Sequence, residues 1–69
     1  MYLLKIKGVG KLPDYVQVRD DDFNLRAFIN MVSLRKGIKK NGLEAYCDTI
    51  VERLEKVDFN EVVFIKENQ

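Results

Sequence analysis

The sequence predicts a small α+β domain: a four-stranded mixed sheet with two helices packed on one face, in the order β-β-β-α-α-β over residues 1–69. Three observations carry this expectation. Apolar and polar residues alternate with a period of two in three stretches before residue 32. A helical period of apolar residues runs from about Leu43 to Val57. A four-residue apolar run, Val62-Val63-Phe64-Ile65, follows it. With 46% hydrophobic and 33% charged residues, the composition is that of a folded chain rather than a disordered one. Sixty-nine residues leave room for one core, and chains this small often gain stability by pairing with a copy of themselves or a partner.

The first strand is read at Tyr2, Leu4 and Ile6, which alternate with Leu3, Lys5 and Lys7; Leu3 is the exception to the pattern. Gly8-Val9-Gly10-Lys11-Leu12-Pro13-Asp14 is a loop, because Pro13 cannot donate a ladder hydrogen bond. Tyr15 to Arg19 is the second strand, with Val16 and Val18 on one side and Tyr15, Gln17 and Arg19 on the other. Asp20-Asp21-Asp22 disfavours strand and favours a turn. From Phe23 the alternation continues through Leu25, Ala27, Ile29 and Met31, broken only by Phe28. The same segment can be drawn as a helix with Arg26, Asn30 and Ser33 on one side, but the long run of period two favours a strand.

Ser33 suits a helix N-cap. Leu34 and Ile38 then face the core, Gly37 weakens the helix by roughly 1 kcal/mol relative to alanine, and Asn41-Gly42 ends it. In the long helix Leu43, Tyr46, Cys47, Ile50, Leu54 and Val57 form the apolar stripe, and Glu52 and Lys56 are spaced for an ion pair. The last strand is placed at Glu61 to Lys66. Its continuous apolar centre suggests a strand covered on both faces or central in the sheet. A helical crossover before it allows a parallel pairing.

Little in the sequence points to catalysis. Histidine is absent, which removes the commonest general acid-base group and the commonest metal ligand. Cys47 has no base to activate it and lies on the apolar stripe. Glu52 and Glu55 face away from that stripe, with nothing to desolvate them. Asp20-x-Asp22-x-Asn24 matches the start of a calcium loop, but Leu25 and Met31 stand where the glycine and the bidentate acid belong. Gly8-x-Gly10-Lys11 lacks phosphate-loop spacing. No cofactor or metal is expected.

Charge and aromatic placement point instead to binding. Residues 1–40 carry nine bases against four acids, and residues 41–69 three bases against seven acids, within a net charge of +1. Arg35, Lys36, Lys39 and Lys40 fall opposite Leu34 and Ile38 and could meet phosphates or acidic partners. Tyr15, Arg19, Arg26 and Phe28 are expected to point away from the core side of the sheet. Such a face suits a dimer interface, where aromatic residues and arginine are enriched, or the stacking of unpaired bases. The expected function is a non-enzymatic protein-binding regulator or adaptor acting as a homodimer, with single-stranded nucleic-acid binding as the alternative. A near-balanced charge weighs against the alternative. The start breaks into charge too early for a signal-peptide core, no apolar run approaches membrane-spanning length, and a single cysteine suits a cytoplasmic, reducing compartment.

Overall fold

The computed structural model describes residues 1–67, and it has the predicted element order. Strands β1 (Tyr2–Ile6), β2 (Tyr15–Arg19) and β3 (Leu25–Asn30) lead through a 3-10 turn, Met31–Ser33, into helix α1 (Leu34–Lys40). A second 3-10 turn, Glu44–Tyr46, opens helix α2 (Cys47–Lys56), and β4 (Val62–Phe64) closes the chain. Residues 25–30 are therefore strand, not helix.

The sheet order is β3-β2-β1-β4, and every neighbouring pair is antiparallel, so the mixed sheet expected from the crossover is incorrect. Two helices, not one, connect β3 to β4. Asn30 ends β3 beside Tyr15, and the Asn60 amide donates to the Lys5 carbonyl just before β4, so the chain re-enters at the end of the sheet from which it left. A strand that re-enters there runs opposite to β3 and therefore opposite to β1. Nor is β4 central. It forms one edge, and β3 forms the other.

Register decides which residues are inside. Leu3 lies between Val18 on β2 and Val63 on β4, and Val16 lies opposite Ile29. These residues join Met1, Ala27, Ile38, Leu43, Ile50, Leu54 and Ile65 in one buried cluster between sheet and helices. Because side chains alternate along a strand, Tyr2, Leu4 and Ile6 must point the other way. The first-strand reading is thus inverted: Leu3 is the core residue. Lys5 shares its side, and its Nζ donates to the Leu54 carbonyl near the end of α2 (3.1 Å) while lying 4.9 Å from the centre of the Phe59 ring. A cation at a helix C-terminus is favourably placed, which is why a lysine is tolerated there.

Local signals account for the helix ends. Asn30, not Ser33, provides the side-chain cap, accepting from the Val32 amide. At the end of α1 the Gly42 amide donates to the Lys39 carbonyl and the Leu43 amide to the Ile38 carbonyl, a Schellman arrangement with Gly42 at φ +73°. It buries Leu43 against the cluster that contains Ile38. Gly37 has a second role: a Cβ there would lie 2.5 Å from Ile29 Cγ2, so its absence lets α1 settle onto β3. The expected Glu52–Lys56 pair forms at 3.0 Å. No helix among the described residues is long and apolar enough to cross a membrane.

Candidate functional site: the open face of the sheet

The sheet face turned away from the helices follows from the strand pairings in three rows. Ile6, Tyr15 and Asn30 form the first; Val62, Leu4, Gln17 and Phe28 the second; Phe64, Tyr2, Arg19 and Leu25 the third. Phe28 (59% exposed), Leu25, Val62 and Phe64 are exposed, and Tyr2, Leu4, Ile6 and Tyr15 are half-buried. Isolated apolar side chains at a surface are ordinary, but a contiguous patch of them marks an interaction surface.

Aromatic rings organise the two ends of this face. At one end Tyr15 and Phe28 stack with centroids 4.2 Å apart and planes 23° apart. At the other, Tyr2 packs edge-on against Phe23 (5.5 Å) and at a tilt against Phe64 (5.1 Å). Arg19, in the third row, reaches both Gln17 in the second row and Phe23 in the turn. Its Nε and Nη2 donate to Gln17 Oε1 (3.2 and 2.8 Å), its Nη1 donates to the Phe23 carbonyl (2.8 Å), and its guanidinium carbon is 4.8 Å from the Phe23 ring centre.

Phe23 owes its place to the turn before it. Asp20 Oδ1 accepts from the amides of Asp22 and Asn24, and the Asp20 carbonyl accepts from the Phe23 amide. Asp21 reaches the Met1 ammonium at 2.9 Å. The acidic triplet therefore works as a turn with the carboxylates of Asp20 and Asp21 engaged. Phe23 itself has φ +64°, a left-handed conformation that costs a bulky L-residue about 1–2 kcal/mol. The tight turn and the ring contacts hold it there.

At the opposite end the loop between β1 and β2 folds back, with the Gly8 amide donating to Asp14 Oδ1 (2.8 Å). Between loop and sheet is a cleft of ≈ 380 Å³ lined mainly by Ile6, Val9, Leu12, Pro13, Tyr15 and Phe28. Val9 and Leu12 are 79% and 71% exposed, so the apolar surface continues from the sheet onto this loop.

The structure brings together only part of the predicted binding set. Tyr15, Arg19 and Phe28 share the open face. Arg26 does not join them: a bulge between Val18 and Arg19 leaves it unpaired, and its Nη1 donates to Glu67 Oε1 (2.7 Å), which also lies 3.6 Å from the Met1 amine. The same bulge shifts Leu25 from the expected core side to the open face. Arg35, Lys36, Lys39 and Lys40 are exposed on α1, which packs on the core side of the sheet, so the basic group and the aromatic group lie on opposite sides. Arg35 pairs with Asp48 at 3.3 Å, and that hydrogen bond, with Cys47 beside it, holds the guanidinium pKa above its usual value. Tyr2, Leu4, Ile6, Phe23, Val62 and Phe64 were missed as site residues. For all but Phe23, which lies in the turn between β2 and β3, the signal was the apolar residues at both parities in the first and last strands, which leave both sheet faces apolar.

Compared with protein families, curated proteins and solved structures, the chain matches none.

Proposed function

We propose that this chain is a non-enzymatic binding module, a small regulator or adaptor that acts as a homodimer through the open face of its sheet. The observation that carries the reading is the contiguous apolar and aromatic surface of three rows, extended by the loop between β1 and β2. Covering such a surface is favourable in proportion to the apolar area removed from water. The unpaired thiol of Cys47 suits a reducing compartment, and cytoplasmic placement belongs to the same reading.

The test is sedimentation across micromolar concentrations. A dimer is expected for the native chain, and Phe28→Asp should dissociate it, because an exposed site can hold an aspartate in the monomer but not within a dry interface. A chain that stays monomeric throughout, and that Phe28→Ala leaves unaltered, would falsify the proposal.

The stacked pair Tyr15–Phe28 beside Arg19 supports a second reading, the binding of single-stranded nucleic acid. It predicts an affinity for a mixed oligonucleotide that falls as salt rises. Arg19 already spends three of its donors within the chain, and the lysines of α1 lie on the other side of the sheet, which is why this reading ranks second.

A further inference from the structure

The open face is uneven, and its two ends differ in complementary ways. One end carries the cleft between the β1–β2 loop and the Tyr15–Phe28 stack. The other carries Phe23, lodged over Tyr2 and Arg19 at a turn whose backbone is held at positive φ. From the homodimer reading, on which this step rests, we infer that two copies stack face to face about a two-fold axis running across the strands, and that each Phe23 enters the other copy's cleft.

Three observations support this occupant and this geometry. The first is size. A sheet of four strands and five residues has a footprint of roughly 19 by 17 Å from standard strand spacing and rise. Side-chain relief enlarges that footprint, but a flat face alone stays below the roughly 800 Å² per partner of a standard interface. The structures at both ends must contribute, and only an arrangement that sets each end against the other's counterpart uses ridge and recess together. The second is charge. Arg19 is the only charged side chain in the three rows, and three of its five N–H donors are spent on Gln17 and the Phe23 carbonyl. The rows themselves therefore offer little to an acidic partner, and at the ends Lys7, which lines the cleft, would lie near the other copy's Asp20-Asp21-Asp22 turn as well as its Arg19. The two-fold axis also places each Arg19 over the other copy's Tyr15 end, away from its own counterpart. The third is position. Phe23 contacts residues of β1 and β2, and the cleft is bounded by Ile6 and Tyr15 of the same two strands, so rotation about an axis across the strands superposes ridge on recess. A backbone conformation unfavourable to phenylalanine, kept at the edge of this surface, fits a side chain placed for contact.

The experiment uses the full chain carrying Cys47→Ser, with Phe23→Cys in one preparation and Leu12→Cys in another, each exposed to a thiol oxidant. Covalent dimers are expected in the mixture and not in either preparation alone. In parallel, Phe23→Gly, which suits the positive φ, should weaken dimerisation by about tenfold or more, as for loss of an aromatic anchor, while the far-ultraviolet circular dichroism of the folded chain is kept. If Phe23→Cys links to itself, or neither preparation links in the mixture while the native chain still sediments as a dimer, the ridge-in-cleft geometry is wrong and the homodimer reading survives. A native chain that is monomeric throughout overturns both.

Discussion

Gly37 sets two opposing effects against each other at a single atom. Helix propensity alone makes Gly37→Ala favourable by roughly 1 kcal/mol. The added methyl, however, would meet Ile29 Cγ2 at 2.5 Å, and Ile29 is buried between α1 and β3. Overpacking a core costs about 1–3 kcal/mol, so the expected result is a net loss of about 1 kcal/mol in urea unfolding; a gain would mean that the helix has room to shift. Gly42→Ala should cost a comparable amount, about 1 kcal/mol, by forcing a Cβ into the left-handed region that ends α1. Arg35 bears on pH. Its pKa is raised by the Asp48 hydrogen bond, so whatever the pair contributes is in place below the ordinary arginine range and is lost only as pH rises beyond it. Whatever Asp48→Asn costs in unfolding should therefore be the same from neutral to mildly alkaline pH, with no change of slope across that range.

At the scale of elements, the turn between β2 and β3 is held by one carboxylate. Asp20 Oδ1 accepts two backbone amides, so Asp20→Ala should cost about 1–2 kcal/mol. Calcium should leave the melting temperature of the native chain unchanged, since a ligand that bound only the folded state would raise it. The elements themselves were legible because their signals are local: alternation in residues 15–19 and 25–30, a helical stripe from Leu43 to Val57, and Asn41-Gly42 as a stop. Which side of β1 faces inward was not legible. Tyr2, Leu4 and Ile6 form the better alternating set within the strand, and only the pairing of Leu3 with Val18 and Val63 across two neighbours reverses it. The direction of β4 was hidden for a related reason. It depends on the end of the sheet at which the two helices return the chain. Arg26 was misplaced because a bulge inserts one residue into the count.

For the whole molecule, the candidate site was half legible. Phe28 stood out by breaking its own strand's alternation, whereas nearly half of the face it belongs to comes from β1 and β4 and emerges only when four strands lie side by side. Because that surface is mainly apolar and its one guanidinium is already hydrogen-bonded within the chain, its self-association should be nearly indifferent to sodium chloride in equilibrium sedimentation, unlike a contact made through the α1 lysines. The even number of helices in the crossover also brings the two ends of the described chain together: the Met1 amine donates to the Ile65 carbonyl at 3.1 Å. A short glycine-serine bridge could join these ends, and new ones could be opened at the exposed Asn41-Gly42 corner. Such a circularly permuted chain should keep its sheet and core while losing the Met1 ammonium and its attraction to Asp21 and Glu67. Grafted into a loop of a host protein, the domain would enter and leave through neighbouring points.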